Sequence, residues 1–138
     1  MEISAHVRNT PDGHAVHVST ADRAQYLLVP GKPEGRGSAV NGGELLMAAL
    51  ATCYCNDLYR EAGRLGIEIR GCEVTVTAEF DGVGRAASSV TYAARVESPA
   101  SAEEVARLLD ETDRLAEVHN TLRAGCPVER VAWHDPAT

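Results

Sequence analysis

Apolar and polar residues alternate from the start of the chain. Over residues 2–8, Ile3, Ala5 and Val7 fall on one side of an extended backbone and Ser4, His6 and Arg8 on the other, the period-two signature of a half-buried strand. Pro11-Asp12-Gly13 supplies a turn, and Val16 and Val18 resume the alternation over residues 15–19, so the chain is predicted to open on a β-hairpin. A third strand is expected at residues 25–29. Breakers then crowd together in Pro30-Gly31-Lys32-Pro33-Glu34-Gly35-Arg36-Gly37, which reads as a loop.

The period changes at Gly42 or Gly43, and from there to about Leu65 the sequence is helical. This helix is apolar all round at first and amphipathic after Asn56, which predicts a first half enclosed by other structure and a second half partly wet. Gly63 or Gly66 should end it. Residues 73–80 and 89–97 alternate again, Val74, Val76, Ala78 and Phe80 against polar neighbours and then Val90, Tyr92, Ala94 and Val96, which predicts a second hairpin. Ser101-Ala102-Glu103-Glu104 has the form of a capping box. The helix it starts keeps Val105, Leu108, Leu109, Thr112, Leu115 and Leu122 near one stripe and stops at Gly125, with a break expected near Asp113. Residues 127–133 are expected to close the chain as a strand. Strands grouped in runs point to an α+β class, with residues 1–138 as one domain. A helix apolar on every side needs cover on every side, and one six-stranded sheet covers a single face. A second copy of the chain would supply the rest, so a homodimer is expected.

Composition narrows the partners. A chain of 138 residues can build one hydrophobic core without covalent staples. Its net charge is −7, with 20 acidic against 13 basic residues and no basic run, which argues against nucleic acid and against anionic membrane surfaces. The longest apolar stretch, residues 45–55, falls short of the roughly 20 residues that cross a bilayer. The first residues lack a secretory pattern, so a cytoplasmic protein is expected, and its four cysteines are read as reduced thiols.

Two of those thiols, Cys53 and Cys55, lie on the apolar helix. Two residues correspond to a rotation of about 200°, so their sulfurs leave the helix on nearly opposite sides and neither can bridge the other or share a metal with it. A partner for either must come from elsewhere. A buried cysteine is by default a small inert hydrophobe; a reactive one needs its thiolate, favoured by cations or by the first turn of a helix. Cys53 lies roughly 15 Å from the start of its own helix, so its charge partner would have to be an Arg from a loop, a strand or a neighbouring subunit. Arg36, Arg8 and Arg23 are the candidates. None of the five histidines (His6, His14, His17, His119 and His134) pairs with a cysteine at zinc-ligand spacing, and the glycine-rich residues 35–43 carry no phosphate-binding motif, so neither a metal nor a cofactor is expected.

The stretch Gly42-Gly43-Glu44-Leu45-Leu46-Met47-Ala48-Ala49-Leu50-Ala51-Thr52-Cys53 resembles the central helix of the OsmC/Ohr superfamily, in which an E-L-L-x-A-A-L-x-x-C run carries a peroxidatic cysteine. The resemblance extends to Asp12-Gly13-His14-Ala15 and to Asn120-Thr121-Leu122. It implies an intertwined homodimer in which two central helices are wrapped by antiparallel sheets from both subunits. It also implies reduction of organic hydroperoxides or hydrogen peroxide. In that chemistry a thiolate becomes a sulfenic acid, a second cysteine condenses with it, and an external dithiol restores the pair. On this basis Cys53 is the peroxidatic residue. The family's arginine falls near Pro11, its glutamate on Gly43 with Glu44 one position later, and its second cysteine on Ala116. Glu44 is thus the candidate for the carboxylate role. Cys126, ten residues further on, is the candidate resolving partner if the helix end folds back. Two functions follow from the resemblance: a thiol peroxidase, or a non-catalytic protein that holds a small hydrophobic ligand on the same fold.

Overall fold

The computed structural model describes residues 1–135. Its elements run β1 (Ile3–Thr10), β2 (Gly13–Thr20), β3 (Arg23–Leu27), α1 (Gly42–Leu65), β4 (Gly71–Phe80), β5 (Ala87–Glu97), α2 (Ala102–Leu115) and α3 (Glu117–Ala124). The α+β class and the order of these eight elements agree with the sequence pattern. The chain divides into two compact units, Met1–Met47 and Ala48–Thr138.

In the first unit β1, β2 and β3 form an antiparallel sheet in that order. The Pro11-Asp12 turn sets the β1/β2 register, in which Val7 faces Val16 and Ala5 faces Val18. The loop that follows is ordered by Asn9, whose side-chain oxygen accepts from Arg36 Nε at 3.1 Å and from the Gly37 amide at 3.2 Å. Arg36, one of the cations considered for the thiol, thus serves its own loop. A bridge between Gly31 and Ser38 closes that loop.

The second unit is built on the β4/β5 hairpin, where Val74 pairs with Ala94 and Cys72 with Val96. These side chains share one face of the pleat and pack against Tyr54, Leu58 and Ala62 of α1 and Leu108 of α2. Leu58 and Leu108 are fully buried. Gly66, at φ +69°, adopts the left-handed conformation that ends α1, and the Ile67 amide returns to the Ala62 carbonyl at 2.9 Å. The predicted capping box opens α2: the Glu104 amide donates to Ser101 Oγ, and the Glu104 carboxylate accepts from the Ser101 amide. Gly125 ends α3, as expected.

Two expectations need correction. The strands do not form one six-stranded sheet: the described residues make a three-stranded and a two-stranded sheet. Residues 127–133 are not a strand, because no edge pairs with them and a sequence rich in Val, Ala and Trp is not sufficient without a partner. The second half of α1 is partly wet, as expected, and the first half is largely uncovered within one chain. Leu45, Ala48 and Ala49 are exposed, whereas the buried residues are Leu50, Tyr54, Asp57, Leu58, Glu61 and Ala62. Apolar character all round the helix reports how much cover it requires, and a single chain provides that cover only from Leu50 onward, along one face.

Candidate functional site

Cys53 lies midway along α1, and the sequence around it sets what it meets. Asp57 is four residues on and shares its face of the helix. The Cys53 thiol points at Asp57 Oδ2, with the sulfur 3.6 Å away, and the Val118 amide in the first turn of α3 donates to the same sulfur. Glu117 completes the group, since one ligand-type atom from each of Cys53, Asp57 and Glu117 lies within 4.8 Å of the others. Arg60 closes it from the outer side, with its Nη1 2.9 Å from Asp57 Oδ1 and 3.2 Å from Glu117 Oε1.

The electrostatics of this cluster oppose each other. Burial pushes the Cys53 thiol above its ordinary value, and the charges of Asp57 and Glu117 push in the same direction. The Val118 amide pulls it down, because a free N–H at a helix start favours negative charge. Burial also raises the Asp57 carboxyl, against the pull of Arg60. Glu117 is lowered, chiefly by its own backbone amide and further by Arg60. The cluster therefore holds a thiol that keeps its proton at neutrality and, next to it, a carboxylate with an increased appetite for one. A thiolate and two carboxylates at this spacing are a donor set that suits a divalent cation. The Arg60 guanidinium already satisfies both carboxylates.

The break between α2 and α3 presents the Val118 amide. A continuous helix would bond the amides of residues 117 and 118 to the carbonyls of Asp113 and Arg114. Here the chain leaves helical geometry at Ala116, with ψ 104°, and the two carbonyls are taken up by side chains. Arg123 Nη1 donates to the Asp113 carbonyl at 3.2 Å, and Asn120 Nδ2 to the Arg114 carbonyl at 3.1 Å. Asn120 belongs to the Asn-Thr-Leu motif, and this is its structural task. The break expected near Asp113 falls at Ala116.

A mainly apolar cavity of about 340 Å³ is lined by Leu50, Val90, Tyr92, His119, Leu122 and Arg123 among others. Leu50 is one turn before Cys53 and His119 one residue after Val118. His119 is 6% exposed and packs its ring edge-on to Tyr92 at 4.8 Å, and neither of its ring nitrogens has a hydrogen-bond partner. Burial and Arg123 both lower its basicity, against Asp113.

The other sequence candidates lie elsewhere. Glu44 caps α1: its carboxylate accepts from the Asn41 amide at 2.8 Å, and its own amide donates to Asn41 Oδ1 at 2.8 Å. Cys126 is exposed, its thiol turned to the Pro127 carbonyl at 3.8 Å, and no hydrogen bond joins it to Cys53. Arg8 and Arg23 lie on β1 and β3. The cation of the cluster is Arg60, and the spacing 53, 57, 60 on one helical face was the signal that would have found it. Glu117 and Val118 come from a distant segment and had no such signal.

A sequence profile of the family described as OsmC-like protein matches residues 35–130, which covers α1, the second hairpin and both later helices. The chain belongs to the OsmC-like family. OsmC-like proteins of known structure share its fold. An OsmC-like protein of Mycoplasma pneumoniae superposes with a TM-score of 0.65 at 18% identity, over 90% of this chain and 87% of that one. An organic hydroperoxide resistance protein of Elizabethkingia anophelis gives 0.62 at 15% identity, over 91% and 90%. A further organic hydroperoxide resistance protein, from Legionella pneumophila, gives 0.56 at 18% identity over 88% of each chain. No curated protein matches in sequence. Among the described residues no helix is long and apolar enough to cross a membrane.

Proposed function

We propose that this OsmC-like protein reduces small hydroperoxides through Cys53 in defence against oxidative stress, with Asp57 as the group that carries the proton. The observation behind this reading is the approach of the Cys53 thiol to Asp57 at the free amide end of α3. The thiol passes its proton to Asp57, and the sulfur attacks the terminal oxygen of the hydroperoxide. An S–O bond forms as the O–O bond breaks. The alkoxide takes the proton from Asp57 and leaves as alcohol, and the sulfenic acid remains on Cys53. An external dithiol then condenses with the sulfenic acid, releasing water and giving a mixed disulfide. Its second sulfur displaces Cys53 as thiol. This route assigns no role to Cys126, whose replacement by Ser leaves turnover unchanged.

The test is consumption of cumene hydroperoxide and of hydrogen peroxide in the presence of dithiothreitol. Wild-type protein turns over at least one of the two and Cys53→Ser neither. Wild-type protein inactive toward both removes the reading. In that case the elevated thiol and the apolar cavity favour the second function, binding of a small hydrophobic ligand without redox turnover. Saturable displacement of a fluorescent apolar dye from the wild type, lost when Leu122 is replaced by Arg, supports that alternative.

We also propose that the working form is a homodimer. In the first unit Tyr26, Leu28 and Leu45 stand open, and in the second Ala48, Ala49 and Val90 do, apolar side chains that a second copy of the chain would cover. Sedimentation at micromolar concentration should give twice the chain mass, and a single-chain mass contradicts the proposal.

A further inference from the structure

Cys55 leaves α1 away from Cys53 and meets Cys72, the second residue of β4, with the two sulfurs 3.2 Å apart. Both thiols are half-buried, and the Tyr59 hydroxyl stands beside Cys72 as a hydrogen-bond partner. A disulfide bond is about 2.05 Å long, so the two sulfurs need to approach by only about an ångström to join. The sequence interval between them, 55 to 72, spans the end of α1 and the connection at Gly66, so a bond would tie the helix to the edge of its sheet.

We propose that Cys55 and Cys72 form a second, independent redox centre that closes to a disulfide when a hydroperoxide oxidises it. One sulfur, as thiolate, attacks the terminal peroxide oxygen. The O–O bond breaks, an S–O bond forms, and the departing alkoxide or hydroxide takes up a proton as alcohol or water. The second sulfur then attacks the sulfenic sulfur. The S–S bond forms, the S–O bond breaks, and hydroxide leaves with the remaining thiol proton as water. Two thiols and one hydroperoxide thus give one disulfide, one alcohol and one water, the two sulfurs supplying the two electrons that reduce the O–O bond. A dithiol reopens it. Only the class of oxidant is shared with the Cys53 reading, since the helix keeps the two sites apart.

The experiment treats the full chain with a few equivalents of hydrogen peroxide, blocks residual thiols, digests with trypsin and identifies linked peptides. Cleavage after Arg36, Arg60, Arg70 and Arg85 leaves Cys53 and Cys55 together in one peptide and Cys72 in another, so the Cys53→Ser variant is the decisive sample. The expected result is a linked pair of residues 37–60 and 71–85, two hydrogens lighter than the separate peptides. It persists in Cys53→Ser, disappears in Cys55→Ser and in Cys72→Ser, and travels as a single chain on a non-reducing gel. A linkage lost in Cys53→Ser, a linkage only between chains, or none at all with peroxide consumed overturns the proposal. Peroxide turnover by Cys72→Ser separates the two sites, because the Cys53 activity stands or falls without this pair.

Discussion

The Cys53 thiol donates to Asp57, its neighbour one turn along the same helix. The sulfur's side-chain partner is therefore an acid that resists its ionisation and can receive its proton. These two effects have opposite consequences when the carboxylate is removed.

In Asp57→Asn the thiol loses a negative neighbour and ionises more readily, so alkylation by iodoacetamide at neutral pH should quicken by roughly three- to tenfold. Peroxide reduction should slow in the same variant, because the proton carrier is gone. In the wild type, alkylation should climb with pH to above the ordinary thiol value of about 8.5. A variant in which alkylation and peroxide reduction move together would show that Asp57 acts on the sulfur by charge alone.

Asn120→Ala removes the side chain that takes up the Arg114 carbonyl at the α2/α3 break. An exposed hydrogen bond of this kind contributes about 1 kcal/mol, or a few degrees of melting temperature in a chain of this size. The break should also relax and withdraw the Val118 amide, leaving Cys53 slower to alkylate. Thr121→Ala loses a bond inside α3, from Oγ1 to the Glu117 carbonyl, and serves as the control: a similar loss of stability with Cys53 unchanged.

His119 is buried and less basic than a free imidazole, with Tyr54, Tyr92, Asp113 and Arg123 around it. Above about pH 6.5 it is neutral in both folded and unfolded chains, and its contribution is fully present. As pH falls through that value the unfolded chain takes a proton that the folded one refuses, so stability is lost down to the folded-state value. Asp57, raised in the fold, works with the opposite sign, its contribution growing as pH falls toward the ordinary carboxylate value. The difference between wild type and His119→Phe therefore isolates the imidazole: urea midpoints at pH 7.5 and 5.5 should converge in the variant.

Leu58 is fully buried where α1 meets β4, β5 and α2. Leu58→Ala should cost about 3 kcal/mol through lost burial and the cavity left behind. Ser101→Ala, which removes the α2 capping box, should cost about 1 kcal/mol. Denaturant unfolding measures both, and an equal cost would place the stability of the second unit outside this core.

Local chemistry made much of this fold legible. The Ser101 box, Gly66 and Gly125 mark helix ends through backbone geometry that few other residues accept, and the sequence pattern places α1 within a residue of its observed start. Alternation found four of the five strands, and the third, expected at residues 25–29, lies at Arg23–Leu27. A sixth strand was expected at residues 127–133, where strand-forming residues report a tendency to pair and not the presence of a partner. The candidate site divides in the same way. Cys53 was visible from its motif, and Asp57 and Arg60 were within reach of helical spacing. Glu117, Val118 and Cys72 arrive through tertiary packing, which spacing along one element does not encode. Glu44 matched the motif and turned out to be committed to Asn41, a local bond that a Glu three residues after an Asn could have announced.

The two-residue separation of Cys53 and Cys55 makes the central helix an electrical divider. One sulfur looks towards the amide end of α3, the other towards the sheet edge, and no rotation about a side-chain bond takes either around the rod between them. Under the proposed chemistry, an oxygen atom captured on the first side awaits a visitor from outside, whereas oxidation on the second side is answered by a sulfur already at hand, so one helix would keep two separate records of the same oxidant.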